Sequence, residues 1–229
     1  MRTDVHSHLL PKIDDGAENE ARSRALLEGM QKEGLTHLAL TPHFYPYREA
    51  PSHFLEKRER AWKAFSSFSQ GAGVCFSLGA EVYLTETLFN AEDLRPLCYE
   101  NTELILTELP LEDHLTDRSR LLLRRLVHDR GMTPVIAHVD RYPYLVKSPW
   151  ILEELAELGC LFQWNRESLL PYFSRRRVRE LFREGFVHFF GGDVHRDLLP
   201  EKAKDKLRSF EPLFSQTDAN AIAMIFSKK

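Results

Sequence analysis

Cysteine is scarce in this chain, at three of 229 residues, and Cys75, Cys98 and Cys160 form no C-x-x-C pair. So few and so scattered, they exclude a disulfide framework and a thiolate zinc finger, and they suit a reducing compartment. Long hydrophobic runs are missing too: none approaches the roughly 20 residues of a membrane span. The opening MRTDVHSHLLPKIDDGA has neither the basic start nor the apolar stretch of a signal peptide. A cytoplasmic protein without membrane insertion is expected. Neither sign of charge dominates, since 31 Lys+Arg against 34 Asp+Glu leave a formal charge of -3, which argues against a nucleic-acid partner. No G-x-G-x-x-G follows an apolar run, so a dinucleotide site has no support. Pro/Gly/Ser linkers, short repeats and low-complexity tracts are absent as well, which favours one domain over residues 1–229.

What the chain does have is an alternation of short β-like runs with longer helical patterns. The spacing predicts strands over 2–8, 35–41, 74–82, 103–109, 133–139, 159–165 and 186–193. Helices are predicted over 18–33, 54–68, 117–130, 149–158 and 172–184, where apolar residues recur every three or four positions. Seven β–α alternations with buried-looking strands read as an α/β fold with a parallel sheet. A (β/α)7 barrel resembling a TIM barrel fits the count and length, and an open doubly wound sheet is the rival. Both place chemistry at the C-terminal ends of the strands.

Ten histidines are the unusual count. His6 and His8 stand two apart at the end of the first predicted strand, so both side chains leave one face and can converge on an ion. Asp193 and His195 repeat that spacing at the end of the last strand, which a parallel barrel sets beside the first. His43 follows LALTP, Glu81 follows SLGA, Glu108 follows ILT and His138 follows VIA. Five histidines and three acids thus fall at six of seven strand ends, a coincidence best explained by a metal site. One of Asp14 and Asp15, in the loop after the first strand, adds a further ligand. His53, His114 and His128 read as solvated, His37 and His188 as hydrogen-bonded structural residues. Imidazole and carboxylate without thiolate suit manganese, iron or zinc, and so many ligands call for two or three divalent ions.

The stretch DVHSHLLPKIDDGA, followed in order by TPHF, GAEVYL, LTELP, AHVDRY and GGDVH, resembles the PHP (polymerase and histidinol phosphatase) superfamily. It is most similar to the bacterial branch of metal-dependent protein-tyrosine phosphatases linked to capsule and exopolysaccharide synthesis, over residues 4 to 195. The resemblance implies a distorted seven-stranded (β/α) barrel with three metal ions, usually manganese or iron. It implies that His6, His8, Glu81 and Asp193 hold one ion, that Glu81 bridges to a second held by Glu108 and His138, and that Asp15, His43 and His195 hold the third. Arg141 matches a phosphate-binding arginine of the family. A second such arginine is missing, because Leu199, Pro200 and Glu201 stand where it is expected, and Arg196 is the nearest substitute. The implied reaction is attack on phosphorus by metal-activated hydroxide without a covalent intermediate. The implied partner is a phosphotyrosyl protein such as the tail of a bacterial tyrosine kinase. The competing readings are a small-molecule phosphatase of the histidinol-phosphatase type, a polymerase-associated nuclease, and a weakly active phosphotyrosine-binding scaffold.

Cys160 to Arg166 satisfies the C-x5-R spacing of cysteine-dependent tyrosine phosphatases. Leu161, Phe162 and Trp164 read instead as a buried strand, without the glycines a phosphate loop needs. The aromatic residues Phe44 to Tyr47, Phe89, Tyr142 and Tyr144 fall beside ligand positions, where they either line a phosphotyrosine groove or close the barrel rim.

Overall fold

The computed structural model describes residues 3–227; residue 2, the expected start of the first strand, lies outside them. In chain order the elements are β1 (Thr3–Asp4), α1 (Glu20–Lys32), β2 (His37–Leu40), β3 (His43–Phe44), α2 (Pro51–Ser69), β4 (Cys75–Leu78), β5 (Glu81–Tyr83) and β6 (Leu104–Glu108). There follow α3 (Asp117–Arg124), β7 (Thr133–Ile136), α4 (Pro143–Lys147), α5 (Pro149–Glu157), β8 (Leu161–Asn165), α6 (Tyr172–Arg183), β9 (Phe189–Gly191), α7 (Glu201–Leu207) and α8 (Glu211–Ala221). No helix among the described residues is long and apolar enough to cross a membrane.

All strand pairs are parallel, in the orders β1-β2-β4 and β3-β5-β6-β7-β8-β9. The predicted strand 35–41 is β2 alone, and the chain adds β3 beyond a break at Thr41-Pro42, outside that prediction; the predicted strand 74–82 is broken at Gly79-Ala80 into β4 and β5. Proline cannot donate to a ladder, but Pro42 still accepts from Glu81 N at 3.0 Å, and Gly79 N donates to Leu40 O at 3.0 Å. The two breaks lie side by side, so both strands pass together from one sheet to the other. At the far edge a parallel bridge joins Ser7 to Val194. The result is a curled parallel sheet with helices packed on it. Val5, Ala39, Leu104, Leu106, Val135, Ala137 and Phe189, in or next to the strands along the curl, bury one another, and Tyr99, Ala221, Ile225 and Phe226 complete this inner cluster.

Local chemistry explains the helix bounds. Asn19 caps α1 by accepting from Arg22 N at 2.9 Å, and Gly34 takes the left-handed φ of 83° just past its end. Pro51 at the first turn starts α2 three residues before the periodic pattern does. Helix α3 passes into a π turn over Arg125–Asp129. Helices α4, α7 and α8 have no counterpart in the sequence reading, because short segments of weak periodicity become helical through tertiary packing. Phe214 of α8, edge-on to Phe190 at 5.1 Å, shows that packing.

Candidate metal centre

The bridge between Ser7 and Val194 sets the register of the two ligand pairs. Asp193 N donates to His6 O at 2.8 Å and His8 N to Val194 O at 2.9 Å, so the side chains flanking each bridge residue come to one face. On the other side His43 stands directly opposite Glu81, and Glu108 opposite Tyr83. His138 follows β7 in left-handed backbone with φ 32°, and Asp193 has φ 49°.

Four donors converge most tightly. His6 Nε2 lies 3.2 Å from His8 Nε2, 3.2 Å from Glu81 Oε2 and 3.5 Å from Asp193 Oδ1. His8 Nε2 lies 3.4 Å from each of the same two oxygens. Donors held about 2.0–2.2 Å from one ion stand about 2.9–3.6 Å from each other in tetrahedral or adjacent octahedral positions, so these spacings fit a shared cation. Glu81 Oε2 and Asp193 Oδ1 are buried without a hydrogen bond, and a cation would relieve both. The far nitrogens of the two imidazoles are already engaged, His6 Nδ1 with Gln163 Oε1 at 3.0 Å and His8 Nδ1 with Asp14 Oδ2 at 2.7 Å. Both acceptors call for Nδ1–H, which aims the Nε2 lone pairs inward.

Glu81 reaches further. Its Oε2 lies 2.8 Å from His43 Nδ1, while Oε1 lies 2.8 Å from His138 Nε2. His138 Nε2 is 3.8 Å from Glu108 Oε1. Among the described residues, three groups have donor atoms all within 4.8 Å of one another: His6, His8 and Asp193; His43, Glu81 and Glu108; and His8, His43 and His195. Asp15 Oδ1 stands 3.5 Å from both His43 Nε2 and His195 Nε2. All nine sequence-derived ligand candidates are therefore gathered at one rim.

The two aspartates have different surroundings. Asp14 is turned inward, accepting from His43 N at 3.1 Å and Gly16 N at 3.0 Å besides engaging His8. Asp15 is two-thirds exposed, facing His43 and His195. A Cβ on Gly16 would come within 2.2 Å of His8 O, which is why glycine follows the aspartate pair. Arg141 pairs with Asp193 Oδ2 and is 48% exposed, so it stands at the rim with room to reach outward. Arg196 is exposed, its Nε donating to Asp15 O at 3.4 Å, while its carbonyl accepts from Arg22.

Burial opposes protonation of His6, but Glu81 and Asp193 push its imidazole up to about 9. His8 is raised likewise by Asp14, Asp193 and Glu81 against its burial. The same contacts outweigh burial at Asp193 and Glu81 and hold both carboxyls below the usual range. Burial and the neighbouring Glu81 raise Glu108; burial and His8 lower His195. The imidazoles that carry these raised values are the candidate donors, so metal and proton compete for the same nitrogens.

Sequence reasoning missed Gln163, Asn165 and Asp4. Gln163 Oε1 accepts from His138 N at 2.7 Å as well as from His6, and its Nε2 donates to Asn165 Oδ1 at 3.0 Å. Gln163 and Asn165 stand two apart at the end of β8, the spacing that revealed His6 and His8, but amides do not draw the eye as ligands do. Asp4 accepts from His6 N at 3.1 Å and Gly192 N at 2.8 Å, and its burial, only partly offset by Arg166, raises it to about 6. Gln163→Leu should weaken manganese binding about 10–100-fold, read by competition with a fluorescent chelator; unchanged affinity would reduce the amide to a space filler.

Other candidates fall away from the site. Cys160 is buried and its thiol is pushed up to about 12 by burial, while Arg166 donates to Thr3 O at 2.8 Å; no phosphate loop joins them. Phe44, Phe89 and Tyr142 are core residues, Tyr142 exchanging hydrogen bonds with Leu109, so they line no groove. His53 and His114 are exposed beside Glu49 and Asp113, and His188 accepts from Phe162 N at 3.1 Å.

Imidazole and carboxylate donors at the strand ends of a curled parallel sheet define an α/β protein with a candidate polynuclear metal centre. Residues 2–214 match the model of the family described as "Capsular polysaccharide synthesis, CpsB/CapC", and the chain belongs to that family. It is 27% identical over 206 residues to the tyrosine-protein phosphatase CpsB of Streptococcus agalactiae serotype V, covering 84% of this chain and 82% of that one. It is 27% identical over 197 residues to the tyrosine-protein phosphatase YwqE of Bacillus subtilis strain 168, covering 84% and 76%. The fold is similar to a solved structure from work on YwqE of Bacillus subtilis and CpsB of Streptococcus pneumoniae, described as unique metal-dependent tyrosine phosphatases. The TM-score is 0.76 at 24% identity, over 96% of this chain and 93% of the other.

Proposed function

We propose that this chain is a metal-dependent phosphomonoesterase acting on phosphotyrosyl protein, with the tail of a bacterial tyrosine kinase that controls capsule or exopolysaccharide synthesis as its substrate. The observation that carries the reading is the convergence of His6, His8, Glu81 and Asp193 around two buried carboxylate oxygens that lack any hydrogen bond. The named relatives support the substrate class. Residues 1–229 are read as one cytoplasmic domain, its curled sheet a distorted (β/α)7 barrel. Two or three divalent ions, manganese before iron or zinc, would be held by His6, His8, Glu81 and Asp193, by Glu81, Glu108 and His138, and by Asp15, His43 and His195.

Such ions, when bound, supply charge to neutralise the ester and bring the pKa of water near neutrality. The chain does the rest. Gln163 and Asp14 keep the His6 and His8 tautomers that present Nε2. Arg141, anchored on Asp193, offers its exposed N–H groups to the non-bridging phosphate oxygens. Arg196, over the Asp15 loop, is placed to add positive charge at the mouth. A phenolate with a pKa of about 10 leaves without strong acid assistance. Cys160, with its raised thiol, forms no phosphoenzyme.

Manganese-reconstituted protein should release phosphate from p-nitrophenyl phosphate and phosphotyrosyl peptides, lose that activity to chelator, and keep it in Cys160→Ser. Chelator-resistant activity that vanishes in Cys160→Ser would overturn the mechanism. Faster turnover of histidinol phosphate than of peptide would overturn the substrate class.

A further inference from the structure

Beyond the donors, the strand lines that carry His43 and Glu81 run outward, and the residues two positions on share their face. Those residues are Tyr45 and Tyr83. Their rings and that of Tyr47 stand 5.8–5.9 Å apart pair by pair, and Tyr45 lies stacked 5.3 Å from the His43 ring. One aromatic cluster therefore starts at a candidate ligand and ends at Tyr47, which is 53% exposed. Phe44, between them in sequence, points the other way and is fully buried against Phe54 at 4.9 Å, so this segment already has its packing anchor. Arg48 covers the cluster, its guanidinium carbon 4.4 Å from the Tyr45 centroid and 5.5 Å from that of Tyr47. No ion pair among the described residues involves Arg48. The adjacent Glu49 is held by His53 and Lys57 at 2.7 and 2.8 Å.

The geometry points to Tyr47, Tyr83 and Arg48 as the residues that make the site select aryl over alkyl phosphate esters. The inference rests on the phosphomonoesterase reading and adds the source of its selectivity. The exposed Tyr47 ring, braced edge-on by Tyr83 at 76°, offers a surface against which a substrate ring can pack while its phosphate reaches toward the candidate metal ligands. Aromatic faces carry negative potential, and the Arg48 cation offsets it where an anionic ester enters. Tyr45, held between His43 and Arg48, is a positioning residue for both.

The test is calorimetric binding of phenylphosphonate and ethylphosphonate to the manganese-loaded protein and to Tyr47→Ala, Tyr83→Leu and Arg48→Gln. The wild-type protein should prefer the phenyl compound by about tenfold, and each variant should reduce that preference below about threefold. No preference in the wild-type protein, no binding of either compound, or a preference that survives in all three variants would overturn the inference. A variant that weakens both compounds equally would also count against its residue, as a support for His43 alone. Wild-type turnover of p-nitrophenyl phosphate reports separately: aryl preference without turnover rejects the phosphomonoesterase reading, and turnover without preference rejects this selectivity.

Discussion

Metal-free protein should lose stability as the pH rises from about 6.5 to about 8.5, while the manganese-loaded protein gains it over the same window. Glu81 and Asp193 raise His6 to about 9 in the fold against its burial. A folded pKa above the unfolded value of about 6.5 contributes stability that is complete below the unfolded value and is lost as the pH passes through about 9. His8 is shifted in the same direction. The carboxyls of Glu81 and Asp193 are lowered, so their contribution is present above the usual carboxylate range and fails only in acid; it does not cancel the loss. His6 alone accounts for on the order of 2 kcal/mol between those pH values. The loaded protein reverses the trend because protons no longer contest the imidazoles. Melting temperatures in chelator and in manganese at three pH values should diverge with pH; parallel curves would mean that these nitrogens do not hold the ion.

Glu81→Gln should cause the largest loss of phosphatase activity of any single substitution, about 10³-fold or more. One buried carboxylate stands within 2.8 Å of His43 and His138 and within 3.4 Å of His6 and His8. The amide keeps the shape but loses the charge and the second acceptor, so neither pair of donors can share it with an ion. Several kcal/mol of charge stabilisation depend on that sharing, and each 1.36 kcal/mol is about tenfold in rate. Activity and manganese stoichiometry, measured together with circular dichroism to confirm the fold, check the claim. A loss below tenfold with full metal content would remove Glu81 from its bridging place.

Much of the candidate site could be read from the residues because its signals are local. The i, i+2 spacing of His6 with His8 and of Asp193 with His195 needs only the two-residue period of a strand. An apolar run ending in Glu81, Glu108 or His138 needs only the habit of parallel α/β folds to carry chemistry there. Helices α7 and α8 escaped for the opposite reason: neither has a strong stripe, and Phe214 and Ala221 find partners only once the strands are assembled.

The sequence by itself determined the donor types and their strand-end positions, since these follow from composition and short-range period. Tertiary structure alone decided which donors meet. The Ser7–Val194 bridge, across nearly the whole chain, sets His6 and His8 against Asp193. The His43–Glu81 register makes one carboxylate common to four imidazoles. The turn after β1 sends Asp14 inward to His8 and Asp15 outward to His43 and His195. Gln163 becomes a tautomer-setting acceptor, and Tyr45, Tyr47 and Tyr83 become one cluster, only because strands distant in sequence lie side by side. Register is a non-local property, and a one-residue slip would turn each of these side chains to the opposite face.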